Sequence, residues 1–142
     1  MLFKNNRQAS RFALVIAASS ALSGFAATTA AQSAMPEMRG EGAVRYVCGG
    51  IGSDESTAFR ASMKDHPLAL LFARADGAYE ADVAVSIQDE KNAVTLAFRA
   101  NGPVCLMDLP AGKYVVNAEA GGASKKQTVT VGGGPKSVDF RF

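Results

Sequence analysis

The sequence predicts an all-β fold: an antiparallel sandwich of about seven to eight strands with one short helix near its start. The first observation is the spacing of turn-forming residues. Glycine and proline recur at short intervals after the first third of the chain, and β-branched or aromatic residues fill the segments between them. The other is alternation, which is clearest over residues 80–88, where Val83, Val85 and Ile87 alternate with more polar neighbours. Strands of this kind have one buried and one solvent-exposed face, as two sheets packed against each other require.

The predicted strands follow one another along most of the chain. The first, residues 43–49, places Val44, Tyr46 and Cys48 on one face and Val47 on the other. Later strands are predicted to begin at Leu68, Glu80, Ala93, Val104, Lys113, Lys126 and Ser137. Turn residues that tolerate positive φ separate some of them, at Asp76-Gly77, Asn101-Gly102 and 132–135.

One helix is predicted between the first two strands. Ser53 is a suitable N-cap, and Asp54 and Glu55 lie in the first turn, where carboxylates interact favourably with the helix dipole. A modest apolar stripe surrounds Phe59. The helix is expected to end before Pro67, since proline cannot continue it.

Residues 1–34 differ from the rest of the chain and are typical of a secretory signal peptide. Three bases, Lys4, Arg7 and Arg11, precede an uncharged run rich in alanine, serine and threonine, and small residues suited to cleavage cluster just before Met35. No cysteine lies near that junction, so a lipoprotein anchor has no attachment point. We therefore expect a soluble protein, exported to the periplasm or secreted, without membrane insertion.

The rest of the chain has the length of one domain. We expect residues 35–66 to form an N-terminal extension with the first strand and the helix, and residues 67–142 to form the sandwich domain. Losing the three bases of the signal lowers the 15 basic side chains to 12, against 13 acidic ones. A nearly neutral chain whose charges alternate in sign is expected to bind neither nucleic acid nor an anionic membrane.

The two cysteines, Cys48 and Cys105, each fall within a predicted strand. An even cysteine count in an exported protein favours a disulfide. Because the two lie 57 residues apart, an unstrained bond would stabilise the fold by about 4 kcal/mol on the chain-entropy account. The alternative is a pair of separate redox-active or metal-binding thiols, for which there is no Cys-x-x-Cys spacing.

A distinctive turn lies in residues 102–118, GPVCLMDLPAGKYVVNA. Leu109 closes one strand, Pro110 and Gly112 set the turn, and Tyr114 starts the buried face of the next strand. This arrangement resembles the strand–turn–strand signature of carboxypeptidase regulatory-like domains and their transthyretin-like relatives. The resemblance covers the chain from the second predicted strand to its end and implies a transthyretin-like sandwich.

The same resemblance implies no catalytic site or cofactor for this chain. Peptidases that carry such a domain keep zinc on a separate catalytic domain, through a His-x-x-Glu pair and a later His. Here His66 is the only histidine, and no glutamate follows it at that spacing. The related hydrolases of purine breakdown need several histidines, and intradiol dioxygenases hold iron with two Tyr and two His. We expect no cofactor and no metal.

Residues at the two ends of the predicted helix are the best metal candidates in the chain. Asp54, Glu55, Asp65 and His66 offer oxygen and nitrogen ligands. Carboxylates at a helix start and a histidine at its end are also explained by capping and by the helix dipole. The second explanation is favoured.

Two further motifs have equally simple explanations. Ser53 and Ser56 have only His66 as a partner for nucleophilic catalysis, and such a combination is available in almost any chain. The glycines of CGGIG, residues 48–52, are similar to a phosphate loop, but no Gly-Lys-Ser/Thr follows them. A tight turn into the helix accounts for them.

The sequence therefore favours a non-enzymatic binding or accessory module that recognises another envelope protein or a glycan. Recognition is expected through an edge strand or through a turn cluster around Asn101, Pro110 and Lys113. The alternative is a structural or assembly subunit of the cell envelope that associates through edge strands. A hydrolase of another type stays open, as does the oligomeric state.

Overall fold

The structure is a computed structural model that describes residues 35–142; the predicted signal peptide, residues 1–34, lies outside them. These residues form two β-sheets and one short helix, as the sequence predicts. The strands are β1 Arg39–Glu41, β2 Val44–Gly49, β3 Leu68–Ala73, β4 Val83–Asp89, β5 Val94–Ala100, β6 Val104–Asp108, β7 Gly112–Ala120, β8 Ala123–Val131 and β9 Lys136–Arg141. The helix is α1, Ser53–Ser62, and a 3₁₀ turn follows it at Met63–Asp65.

Two sheets make up the sandwich. Sheet A has five strands in the order β1-β2-β6-β3-β9, and sheet B has four in the order β5-β4-β7-β8. Neighbouring strands are antiparallel except β3 and β9, which run parallel with Leu70 opposite Val138. These two strands are far apart in sequence, so no hairpin fixes their relative direction and local pattern alone does not predict it.

The main core lies between the two sheets. It contains the alternate residues of β4 and β7 that the sequence predicts to be buried, together with Phe72 and Phe140, whose ring centroids are 5.7 Å apart. Leu109 is also buried, at the start of the turn predicted there. Among residues 35–142, no helix is long and apolar enough to cross a membrane.

A second, smaller core forms where α1 packs on the outer face of sheet A. Phe59 is completely buried there, in a cluster with Val47, Ala69, Val104 and Leu106. Gly49 makes this approach possible, because a Cβ at that position would lie 2.7 Å from the Phe59 ring. The helix thus adds a third layer over sheet A.

The two ends of α1 differ in how well the sequence predicts them. Gly52, with φ of 86°, is the N-cap residue, and Ser53, the predicted cap, is instead the first helical residue and makes no capping bond. Glu55 ties the helix start to the preceding turn, because its Oε1 accepts a hydrogen bond from the Gly50 backbone N–H at 2.9 Å. The helix and its 3₁₀ turn end before Pro67, as predicted.

Cys48 and Cys105 lie directly opposite each other on β2 and β6 and form a disulfide. The alternative of two separate free thiols therefore does not apply to this structure. Several strands differ from the predicted ones, and β8 begins at Ala123, three residues before the predicted start at Lys126. β1 is a three-residue strand that the pattern does not predict, and β4 begins at Val83 rather than at Glu80, because Asp82 has φ of 66° and interrupts the extended backbone.

Candidate functional site

Within residues 35–142 the buried side chains are almost all apolar. Among the residues that the structure describes, Tyr114 is the one buried residue with an ionisable side chain apart from the disulfide cysteines, and no group of three or more His, Cys, Asp or Glu residues is placed to hold a metal. Buried ionisable groups with perturbed properties are the usual sign of a catalytic site inside a fold. A candidate site must therefore be sought on the surface.

His66 has a partner that sequence patterning does not identify. Its Nδ1 lies 2.8 Å from Oδ1 of Asp108, at the end of β6, and both side chains are partly buried. Asp54 and Glu55 lie in the first turn of α1, whereas His66 follows the last. The four residues considered as metal ligands therefore do not come together, and the imidazole is tied to sheet A.

The serines and glycines near the helix are likewise structural. Ser53 and Ser56 lie in the first turn of α1, at the other end of the helix from His66. Gly50 and Gly52 have φ of 94° and 86°, which is the left-handed region that a tight turn requires and that glycine adopts freely. The CGGIG segment therefore ends β2 and then turns into the helix through residues 50–52.

The Leu-Pro-Ala-Gly turn supports the fold through a tyrosine. The Tyr114 hydroxyl donates a hydrogen bond to the Pro110 carbonyl oxygen at 2.7 Å, which closes the connection between sheets A and B. Burial, together with the nearby Asp89 carboxylate, raises the pKa of Tyr114 above its usual value of 10.0. The hydroxyl is thus kept in its neutral, hydrogen-bonding form.

The turn cluster expected around Asn101, Pro110 and Lys113 is not a cluster. Asn101 precedes β6, whereas Pro110 and Lys113 follow it. The five residues of the strand separate the two turns and place them at opposite ends of the sandwich. The expectation that these three residues form one turn cluster is therefore wrong.

A different surface has the character of a binding site. Ile51 and Tyr79 are the two large hydrophobic side chains that are exposed among the described residues, at 62% and 54%. Both line the same cleft, which has a volume of about 420 Å³. This Tyr79 cleft is formed by Gly50, Ile51, Gly52, Ser53, Ser56, Tyr79, Ala81 and Pro103. Its walls are mainly apolar, with the Ser53 and Ser56 hydroxyls as polar groups.

Tyr79 is held in place by the loop between β3 and β4. The loop turns back on itself, because the Arg74 N–H donates to the Ala78 carbonyl at 2.7 Å, and Tyr79 pairs with Ala73 through an isolated β-bridge. The Glu80 N–H then donates to the carbonyl of Phe72 at 3.1 Å. Backbone bonds on both sides thus fix the residue that carries the exposed ring.

A second hollow, of about 170 Å³, lies on the other side of Tyr79 over the outer face of β3. Arg60, Asp139 and Arg141 contribute its charged groups. Arg60 donates a hydrogen bond to the Tyr79 hydroxyl, and its guanidinium carbon lies 5.3 Å from the centre of the ring, in a cation–π arrangement. The guanidinium therefore limits the rotation of the tyrosine and brings a positive charge beside it.

A hollow on sheet B has the same volume as the Tyr79 cleft, about 420 Å³, but a different lining. It is lined by Asp82, Arg99 and Glu119 among small residues, and Arg99 Nη1 lies 2.9 Å from Asp82 Oδ1. Both partners are largely exposed, so the charges neutralise each other in water and contribute little to stability or recognition. The Tyr79 cleft remains the stronger candidate because it exposes apolar surface.

Sequence patterning misses the Tyr79 cleft because both of its key residues lie outside the regular elements. Ile51 follows two glycines, and Tyr79 lies in the short polar segment after Asp76-Gly77. The sequence nevertheless contains a signal for the cleft, because a large apolar residue in a turn-forming segment is not expected to be buried in the core. The cleft itself exists only because the fold brings the two loops together.

No protein-family model matches the chain, and no curated protein matches it in sequence. The resemblance of the turn around Leu109 and Tyr114 to carboxypeptidase regulatory-like domains thus stays a prediction from the motif.

Proposed function

We propose that the chain is an exported, non-enzymatic binding module that recognises an extended segment of another envelope protein in the Tyr79 cleft. One observation carries the proposal: the two exposed large hydrophobic side chains of residues 35–142, Ile51 and Tyr79, line one concave surface. Single exposed apolar residues are ordinary, whereas apolar residues gathered in a cleft with a few polar groups are typical of recognition sites.

Export is supported by the sequence and by the redox state. The predicted signal peptide covers residues 1–34, and the disulfide between Cys48 and Cys105 is of the kind that persists in oxidising compartments. The two-sheet sandwich is in keeping with the proposed carboxypeptidase regulatory-like family, which would make the chain a periplasmic or secreted member. A non-enzymatic role is in keeping with the single histidine, which is engaged with Asp108.

The groups around the cleft favour a particular partner chemistry. The apolar walls accommodate an aliphatic or aromatic side chain. Beside the second hollow, the positive charges of Arg60 and Arg141 outnumber the one negative charge of Asp139 and favour a nearby carboxylate over a base. Arg60 lies over the ring of Tyr79, which leaves less aromatic surface on which a sugar could stack. A peptide segment with an apolar and an acidic residue is therefore preferred to a glycan.

The proposal is tested by site-specific photocrosslinking in the native envelope. A photoreactive phenylalanine analogue replaces Tyr79 in one strain and Thr128, an exposed residue on the outer face of sheet B, in another. We expect one protein to be captured from position 79 and not from position 128. Equal capture at the two positions, or none at position 79, contradicts the proposal.

The captured partner is then purified and its affinity measured by calorimetry. We expect Ile51→Ser and Tyr79→Ala each to weaken binding about tenfold or more, because buried anchors dominate interface energies. Thr128→Ala is the matched control and should change the affinity less than about twofold. Because both anchor residues are largely exposed, all three variants should keep the unfolding midpoint of the unchanged protein.

A further inference from the structure

The methionines of the chain are unevenly distributed in the structure. Of the five, Met1 belongs to the predicted signal peptide, and Met107 is completely buried in the main core. The other three, Met35, Met38 and Met63, all pack against the small core beneath α1. They form what we call the methionine patch, although Met63 is distant in sequence from the other two.

The fold brings the patch together from two segments of the chain. Met38 immediately precedes β1, and continuing the antiparallel register of β1 with β2 places it opposite Val47. Met63 follows the last residue of α1, four residues after Phe59, so these two share a face of the helix. Val47 and Phe59 both belong to the small core, and Met35 packs on that core as well. The N-terminal segment and the end of α1 thus converge on one apolar cluster.

The three side chains of the patch are partly buried rather than enclosed. Methionine is a flexible side chain that fills irregular gaps inside a core, and Met107 has the complete burial expected of that role. At the rim of a small core a leucine would cover the same apolar surface. Partial exposure leaves the patch open to an ion that arrives from solvent.

Thioethers are also the soft ligands that survive export. Both cysteines are joined in the disulfide, so among residues 35–142 neither offers a thiolate to a metal. In an oxidising compartment thiols are lost to disulfides, whereas a thioether cannot form one. Soft sulfur ligands select Cu(I) among the metals that proteins bind, whereas oxygen ligands suit the hard cations.

We propose that Met35, Met38 and Met63 bind one Cu(I) ion through their thioether sulfurs. Three neutral sulfur donors suit this soft ion, whose filled d shell imposes no higher coordination number. The expectation of no metal considered histidine, cysteine and carboxylate ligands, and thioethers lie outside that set. None of the three methionines lines the Tyr79 cleft, so the metal site does not depend on the proposed recognition of another protein.

The first test is a titration with Ag(I), which is soft and monovalent like Cu(I) but is not oxidised by air. The processed, exported protein is purified with its disulfide intact, labelled at the methionine methyl carbons and followed by NMR. We expect the signals of Met35, Met38 and Met63 to shift together until one equivalent is bound. Met107, enclosed in the main core, is the internal control and should not shift. A shift at fewer than three of the patch methionines, or an equal shift at Met107, overturns the proposal.

Zinc provides the control for the chemistry of the ligands. Zn²⁺ binds thiolate, imidazole and carboxylate groups rather than thioethers. At the concentration of Ag(I) that saturates the patch, Zn²⁺ should leave the three methyl signals in place. An equal response to both ions would show that the shifts do not report coordination by sulfur, which also overturns the proposal.

The second test measures the affinity for Cu(I) itself. The protein competes without oxygen against bicinchoninate, a coloured Cu(I) chelator, while ascorbate keeps the metal reduced. Met38→Leu and Met63→Leu each remove one sulfur at nearly constant volume, so the packing is preserved. Losing an outer-shell partner of a metal ligand costs about 10–100-fold in affinity, and losing the ligand itself should cost at least as much. Met107→Leu is the matched control and should leave the affinity unchanged.

The competing explanation is that the patch methionines only fill space over the small core. Leucine would then replace each of them without changing the affinity for Cu(I), and that result overturns the proposal. Thermal unfolding separates the site from damage to the fold. Without metal, Met38→Leu and Met63→Leu should keep the unfolding midpoint of the unchanged protein. Ag(I) should raise the midpoint of the unchanged protein and of Met107→Leu, because it binds the folded state, and should raise those of the two patch variants less.

Discussion

The outer faces of the two sheets have opposite environments. On sheet A, Val47, Ala69 and Leu106 are buried beneath α1. The outer face of sheet B has no covering helix among the described residues and carries small or polar residues such as Ser86 and Asn117. The difference is visible in the strand sequences. β3, LALLFA, is apolar on both faces, whereas β4, VAVSIQD, alternates. The pattern of a strand thus reports how many of its faces are covered.

The largest expected effect comes from removing the side chain that covers sheet A. Phe59→Ala deletes a completely buried ring from the small core beneath α1. We expect the free energy of unfolding to fall by about 3–5 kcal/mol, because the transfer energy is lost and a cavity remains. Chemical denaturation followed by circular dichroism gives this quantity.

The control for Phe59→Ala is Thr128→Ala on the exposed face of sheet B, which should change stability by less than about 0.5 kcal/mol. A loss below about 1 kcal/mol for Phe59→Ala would mean that α1 contributes little to the fold. Sheet A would then tolerate an uncovered outer face as sheet B does. The two outer faces would differ in their residue types but not in their need for a covering helix.

The disulfide should contribute nearly as much as the helix contact. Replacing both cysteines, Cys48→Ala with Cys105→Ala, frees a loop of 57 residues in the unfolded chain. The expected loss is about 4 kcal/mol on the chain-entropy account. Adding reductant to the unchanged protein should cause a similar loss and should not affect the double variant. An unchanged unfolding midpoint in both experiments would contradict a structural role for the bond.

Much of this architecture follows from the sequence, for physical reasons that differ between elements. The alternation in β4 and β7 has the two-residue period of a half-buried strand, so the sequence alone assigns their buried residues. The helix was predicted by its break in period and by Pro67. The parallel pairing of β3 with β9 was not predicted, because it depends on the packing of the whole sandwich rather than on any local pattern.

The candidate site was less predictable than the fold. Ile51 and Tyr79 lie in loops without periodicity, and their proximity depends on how α1 docks on sheet A. The contact between His66 and Asp108 joins the end of the helical segment to the end of β6, which no spacing along the chain indicates. Periodicity reports burial, whereas a site formed by two loops depends on tertiary distance.

The same substitution on each outer face tests the contrast directly. Ala69→Val adds volume to the closed core under α1, where the residue is completely buried. We expect a loss of about 1–3 kcal/mol through overpacking. Ala97→Val adds the same volume to the exposed face of sheet B and should change the stability of the protein by less than about 0.5 kcal/mol. If the two variants change the free energy of unfolding equally, α1 packs loosely enough on sheet A to accommodate the larger side chain at position 69.

The smallest expected effect concerns the connection between the two sheets. Tyr114→Phe removes the hydrogen bond from the hydroxyl to the Pro110 carbonyl and should lower the free energy of unfolding by about 1 kcal/mol near neutral pH. Because the folded protein raises the pKa of Tyr114 above 10.0, the folded state holds this proton more tightly than the unfolded chain does. The contribution of the hydroxyl is therefore complete below pH 10 and is lost as the pH rises through the raised pKa.

Urea denaturation of the unchanged protein and of Tyr114→Phe, measured in parallel from neutral to alkaline pH, tests both statements. Other titrating groups are shared by the two proteins, so their effects cancel in the difference. That difference should stay constant below pH 10 and shrink above it. A difference that grows above pH 10 would mean that the folded state favours the ionised phenol, which is the opposite of what burial and the Asp89 carboxylate impose. If the two proteins instead have the same free energy of unfolding at neutral pH, the turn is held by packing of the ring rather than by its hydroxyl, and the two sheets are joined at this end by apolar contacts alone.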